Sequence, residues 1–181
     1  MSAVSAPQRP HVPLESWPDA LEATVASACT LLRTVIVLRE TASTQDHARA
    51  AGMPVGTFVT AWRQSAGRGR LGRAWEDTHA AGVAVTFALP DDAPESLAMR
   101  SAVATARAVR SFLPGDTCGI KWPNDIVVDG RKIAGILVER TAGLALVGIG
   151  INVGQDSFHA DIDTHATSLA RLGVHTDRLA V

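Results

Sequence analysis

Ile126-Val127-Val128-Asp129-Gly130-Arg131-Lys132-Ile133-Ala134-Gly135-Ile136-Leu137-Val138-Glu139 reads as two strand-forming runs around one dipeptide. Asp-Gly between such runs is a strong signal for a two-residue hairpin. The flanking runs are therefore antiparallel strands, the return strand covering Lys132 to Glu139. A second turn at Ala142-Gly143 leads into Leu144-Ala145-Leu146-Val147-Gly148-Ile149-Gly150-Ile151-Asn152, a third strand with one face partly stripped of side chains. Such a face accepts a packed helix or a ligand, and the sequence leaves both open. Upstream, Glu95 to Leu113 is the clearest helix, with Ala102, Ala106, Val109 and Leu113 on one face and Arg100, Arg107 and Ser111 on the other. Pro114-Gly115 stops it. Hairpin-linked strands after a helix predict an α+β domain with a mixed, largely antiparallel sheet and helices on one face.

Further upstream, Val83, Val85, Phe87 and Leu89 alternate with Ala84, Thr86 and Ala88 as a strand, and Pro90-Asp91-Asp92-Ala93-Pro94 is a loop. Val35 to Leu38 is a short buried strand, and Thr57 to Trp62 is a strand-like run. Ser43 or Thr44 caps a short helix through Ala48 to Ala51, ended by Gly52 and Pro54. Their hydroxyls serve either the cap alone or a polar ligand as well. Asp19 caps a helix with the stripe Leu21, Val25, Ala28 and Leu32. Residues 1–18, with Pro7, Pro10, Pro13 and Pro18, read as a mobile tail before a domain spanning 19–181. Residues 153–166 read as a long loop, and Asp163 to Val181 as a return to helix.

Arg63-Gln64-Ser65-Ala66-Gly67-Arg68-Gly69-Arg70-Leu71-Gly72-Arg73 carries the chemistry. Its glycines admit sharp turns and close approach, and its arginines offer planar charged forks to phosphate or carboxylate. It lacks the Gly-Lys-Ser/Thr ending of a P-loop and the βαβ setting of a dinucleotide fingerprint. On its own it is an anion-holding loop, a solvated basic loop, or a nucleic-acid contact.

The 181 residues suit one domain, and an apolar share of 46% with 19% charged residues describes a folded chain. A net charge of −1 argues against a general nucleic-acid binder. No apolar run approaches a membrane span, and no signal peptide is evident. Cys29 and Cys118 lie far apart and match no metal or redox spacing, which suggests a reducing, cytoplasmic setting.

Taken in order, Ser43-Thr44-Gln45, the Gly-Arg loop through Ala74-Trp75, Lys121-Trp122-Pro123-Asn124-Asp125, Lys132 to Glu139 and Gly148 to Asn152 resemble the catalytic domain of biotin–protein ligases, over roughly residues 36–172. Gln45 stands where that family usually has Asn. The resemblance implies a sheet like that of class II aminoacyl-tRNA synthetases. It implies no repressor activity, since no helix-turn-helix precedes the domain. It also implies that the family's SH3-like C-terminal domain is absent, since the sequence stops at Val181.

The resemblance further implies a two-step reaction. Biotin attacks the α-phosphate of ATP, giving biotinyl-5′-adenylate, and a lysine of a biotin carboxyl carrier domain of acetyl-CoA or another acyl-CoA carboxylase then takes the biotinyl group. Lys121 and Arg70 are the expected catalytic residues. Ser43, Thr44, Gln45, Gln64, Arg68, Gly69, Arg70, Lys121 and Gly135 are expected to hold biotin. Gly67, Arg68, Arg70, Trp75, Asn124 and Asn152 are expected at the nucleotide. Mg2+ accompanies ATP, with no ligand assigned to it. The expected partners include no DNA and no membrane, and the oligomeric state is not readable. A lipoate- or octanoate-transferring enzyme and a non-catalytic biotin-binding module are the competing readings.

Overall fold

The computed structural model describes residues 12–28, 31–76, 80–91, 94–115, 117–141 and 143–181. Strands β1 (Thr34–Thr41), β2 (Thr57–Gln64), β5 (Gly82–Pro90), β6 (Cys118–Lys121), β7 (Asp125–Val128), β8 (Arg131–Thr141) and β9 (Leu144–Asn152) form one sheet in the order β1-β2-β5-β9-β8-β7-β6. Only the β1–β2 pair is parallel, so the sheet is mixed and largely antiparallel as expected. The hairpin that joins β7 to β8 turns at Asp129 (φ 49°) and Gly130 (φ 76°). Two successive positive φ angles are what a type I′ turn demands, and the Asp-Gly pair supplies them.

The helices are α1 (Trp17–Ala28), α2 (Thr44–Ala50), α3 (Pro94–Arg110) and the single turn α4 (Ala160–Asp163). Along β9, Val147 and Ile151 point to one face, where they join Ala102 and Val109 of α3 and Ile126 and Ile136 in the main core. Leu146 points to the other face and meets Ala48 of α2, together with Val59 and Ala88. The period-two alternation of a strand enforces this division. Helices thus cover both faces, which corrects the expectation that they lie on one. The heavy and light faces read in β5 are real, but both are covered: Ala84 and Ala88 are buried, and Phe87 and Leu89 pack against the α3-side core.

Several boundaries moved. Leu14–Ser16 forms a 3-10 turn and α1 starts at Trp17, so Asp19 lies in its first turn and is not the cap. Residues 14–18 therefore lie in regular structure anchored by Trp17, where a mobile tail was expected. Trp17 is 4% exposed and lies against Trp62 with ring centroids 5.4 Å apart. The guanidinium of Arg178 sits over both rings, at 5.0 Å and 4.1 Å, and donates to the Trp62 carbonyl. The backbone N–H of Val12 donates to Asp177 Oδ2 at 2.7 Å. Residues 12–17 and 177–178 thus form one clasp.

Helix α3 ends at Arg110, earlier than Leu113, and Leu113 packs against the core after a turn. The expected return to helix after Asp163 is instead two 3-10 turns, Ala170–Leu172 and Arg178–Ala180. Buried Thr167, Ser168 and Leu169 fill that stretch with backbone and hydroxyl bonds to the sheet end. The readings placed on Pro7, Pro10, Cys29, Asp92, Ala93 and Ala142 lie outside the described residues. Among the described residues no helix is long and apolar enough to cross a membrane.

Candidate functional site

A cavity of about 570 Å3 opens on the α2 face of the sheet, where β9 has Gly148 and Gly150 and β8 has Gly135. The bare face is occupied. A Cβ at Gly148 would fall on Gln45 Oε1, and one at Gly150 would fall on the indole of Trp75. One at Gly135 would lie 3.1 Å from both Trp75 and Lys132. Of the two uses left open by the sequence, the structure shows packing: the glycines admit Gln45 of α2 and Trp75 of the loop, and these side chains wall a cavity.

The Gly-Arg loop stands over this floor. It folds as a small two-stranded sheet, β3 (Gly67–Arg68) against β4 (Ala74–Trp75), closed by a turn at Arg70–Gly72. Leu71 at its tip has φ 57° and is 90% exposed. Gly69, Arg70 and Trp75 border the cavity, and so does Arg68. Gly67 does not: it lies behind, where a Cβ would meet the Gln64 amide and the Trp75 carbonyl.

At one end lies α2. Ser43 caps it by accepting from the Asp46 N–H, and the Thr44 hydroxyl bonds Gln64 Oε1 and the Thr86 hydroxyl. The Thr44 N–H also donates to Gln64 Oε1 at 2.9 Å. Capping is thus one real use of these hydroxyls, and both residues also face the cavity. Beyond them a charged cluster centres on Glu139. Its Oε2 accepts from Gln45 Nε2 (2.6 Å), Arg49 (2.6 Å) and Arg68 (2.7 Å), and Asp46 also pairs with both arginines. Burial pushes the Glu139 carboxyl up, but the hydrogen bonds from Arg49, Arg68 and Gln45 outweigh it and hold the group below its ordinary value.

At the other end, the turn between β6 and β7 brings Lys121 and Asn124 to the rim. Arg70 donates to Asn124 Oδ1 at 3.3 Å, while Asn124 Nδ2 donates to the Ile136 carbonyl. Among the described residues neither Arg70 nor Lys121 is in an ion pair, so both charges stand available to an anion. Asn152 is buried and its amide is spent on Thr167 and Gln155, which makes it a wall rather than a reaching group.

Sequence reasoning missed Lys132 as a site residue. Its ammonium lies 2.6 Å from Asp125 Oδ1 and 5.5 Å from the centroid of Trp75, inside the cavity. It also missed the roof, where Phe158, Ile162 and His165 come from the segment read only as a long loop. Asp163 holds that roof by accepting from the Phe158 N–H and pairing with Arg171, whose guanidinium covers the Phe158 ring at 4.9 Å. The Phe158 N–H first, then Arg171, hold the Asp163 carboxyl below its ordinary value. Cys118 is turned away, its thiol near the Ala106 carbonyl, and burial pushes it up against the lowering effect of Arg110. It has no part in the cavity.

A model of the biotin/lipoate A/B protein ligase family matches residues 35–156, more than half of the chain. The chain belongs to that family. The ligase-family relatives include the biotin–[acetyl-CoA-carboxylase] ligase of Mycobacterium tuberculosis, 38% identical over 78% of this chain and 57% of that protein. The bifunctional ligase/repressor BirA of Bacillus spizizenii is 36% identical over 80% of this chain and 48% of that protein. Among solved structures, the biotin protein ligase from Aquifex aeolicus in complex with biotin and ATP superposes with a TM-score of 0.72 at 32% identity, covering 81% of this chain and 64% of that one. The fold is that of these ligases. The chain spans about half the length of the curated ligase-family relatives it matches.

Proposed function

We propose that the chain carries the catalytic domain of a biotin–protein ligase, using ATP and biotin to form biotinyl-5′-adenylate and passing the biotinyl group to a lysine of a carboxylase carrier domain. The observation that carries this is one cavity bordered by the hydroxyls and amides at the start of α2 at one end and, at the other, by Arg70 and Lys121, which have no ion partner among the described residues. The relatives named as biotin ligases support the same reading.

The first step joins two anions. A biotin carboxylate oxygen bonds to the α-phosphorus of ATP, and the α–β bridging bond breaks to release pyrophosphate. Fixed cations in a partly desolvated cavity are what lowers such a barrier. Arg70 and Lys121 hold the carboxylate and the α-phosphate from the rim. Lys132 adds a third charge from the floor, balanced at rest by Asp125. Arg68 is already held by Glu139 and Asp46, so it shapes the pocket more than it supplies free charge. Gln45, Thr44, Ser43 and Gln64 line the end suited to a ureido head group, whose N–H and C=O groups need partners once buried. Gly69 lets the ligand approach the loop backbone, while Gly135 makes room for Trp75 and Lys132, which meet the ligand in its place. Trp75 and Asn124 lie toward the nucleotide end, with Asn152 behind them and Gly67 supporting the loop.

In the second step the carrier's neutral lysine amine attacks the mixed anhydride carbonyl and AMP leaves. No protein nucleophile is consumed. Mg2+ enters with ATP as part of the substrate. Among the described residues no three His, Cys, Asp or Glu side chains are grouped to hold an ion, and none is assigned.

The test is pyrophosphate release from ATP with biotin, lipoate or octanoate, with the mass of an added carrier domain followed in the same reaction. Release with biotin and a biotinylated carrier support the proposal. Release only with lipoate or octanoate moves the chain to the other branch of its family. Biotin bound without release makes it a binding module.

A further inference from the structure

We infer that Glu139 is a positioning residue that fixes which way the Gln45 amide faces, and so makes the α2 end of the cavity select ligands bearing an N–H donor. This rests on the biotin reading and deepens it.

A primary amide has a donor end and an acceptor end of nearly the same shape, so its orientation is decided by its neighbours. Gln45 is 3% exposed and its Nε2 is committed to Glu139 Oε2 at 2.6 Å. A carboxylate accepts only, so the reversed amide would set oxygen against oxygen. Oε1 is thereby turned to the bare face of β9, at the place where a Cβ of Gly148 would stand. Both Gln45 and Gly148 border the cavity. No hydrogen bond to Oε1 is made among the described residues. An acceptor without a partner among the described residues thus lies on the floor at Gly148, where both residues border the cavity.

Glu139 is itself held. Arg49 and Arg68 both donate to the same Oε2, and Asp46 ties each of these arginines back to α2. The carboxylate therefore stays charged and fixed, and the amide it orients inherits that precision. A ring N–H, as in a cyclic urea, satisfies Oε1. A dithiolane or a plain acyl chain carries no donor and leaves it buried and unpaired, which costs affinity.

The experiment is a biotin titration by calorimetry on the whole chain and three variants, with melting curves for each. Glu139→Gln keeps size but lets either amide end face the pocket, and should weaken biotin about tenfold, the scale of one lost buried hydrogen bond. Gln45→Ala should cost a similar factor, and the double variant no more than Gln45→Ala alone, because both act through one amide. Gly148→Ala displaces the same oxygen with every ion pair intact, and should reproduce the loss if Glu139→Gln does not fold. Wild-type affinity in Glu139→Gln or Gly148→Ala, or a double variant whose loss is the product of the single losses, overturns the positioning role while leaving the biotin reading in place. A wild-type chain that binds no biotin overturns both.

Discussion

Lysine is a compact charge on a flexible stem, and this cavity has two of them in different settings. Lys121 stands at the rim without an ion partner among the described residues, while Lys132 is tied to Asp125 and lies over the Trp75 ring. Lys121→Ala should leave the melting temperature near wild type and slow adenylate formation by roughly 10²-fold, the scale of one lost transition-state donor. Single-turnover pyrophosphate release checks it, and an unchanged rate removes Lys121 from the chemistry. Lys132→Ala should slow the same step and also lower the melting temperature, because it leaves Asp125 without its partner. The Glu139 carboxyl gives a pH signature. Its folded value is depressed, so its cluster stabilises fully above the unfolded carboxylate value of about 4.3 and loses that contribution as pH falls through the folded value. Melting temperatures of wild type and Glu139→Gln should converge on acidification below about pH 4. A difference that does not shrink at all as the pH is lowered through the acid range would contradict this.

At the scale of elements, the sheet was legible because its signals are local. Asp129-Gly130 names a turn type, and the alternation in β5 and the run in β8 name strands. The Gly-Arg loop and Lys121 were legible as candidates because their residue types are unusual together, and Arg68, Gly69, Arg70 and Lys121 do border one cavity. Lys132 was not, and the reason is a bulge. Register shifts between Ile126 and Val127, so Ile133 is an extra residue and Lys132 no longer obeys the alternation counted back from Gly135. Burial opposite that bulge is a long-range fact that no window of sequence holds. The helices read after Asp163 failed for a related cause. Side-chain bonds such as Ser168 to the Gln155 carbonyl and Arg171 to Asp163 replace helical ones there. That stretch also holds the cavity roof. Arg171→Ala should therefore raise amide exchange at Phe158 and weaken ligand binding, with little change in exchange across β8 and β9. Unaltered exchange at Phe158 would show that the roof is held by other contacts. Ser43→Ala should cost about 1 kcal/mol through the lost cap, read as a lower melting temperature.

For the whole molecule, the seven-stranded sheet divides its labour by face. The α3 face is an apolar core, and the α2 face gives up side chains at Gly135, Gly148 and Gly150 to make a chamber. A fold that thins one face needs its stability elsewhere, and the clasp of Trp17, Trp62 and Arg178 supplies part of it. Arg178→Ala removes a cation between two indoles and the donors to the Trp62 and Gly82 carbonyls. It should lower the melting temperature by several degrees and leave the adenylation rate at low temperature unchanged, because no cavity residue belongs to the clasp. An equal loss of rate and stability would show that the clasp and the chamber are coupled.

The same clasp brings residue 12 to residue 177, so the described chain is almost a closed ring. Its connectivity is then open to rewiring. A linker of about six residues reaches up to about 20 Å, enough to join Val181 to Val12 once residues 1–11 are removed. New ends can be cut at the tip between Asp129 and Gly130, neither of which borders the chamber. Such a circular permutant should keep the sheet order and its pyrophosphate release, since every neighbour in space is preserved while the order along the chain is not. Circular dichroism and the release assay read the outcome. A permutant that folds without activity would mean that the β7–β8 turn does more than reverse the chain.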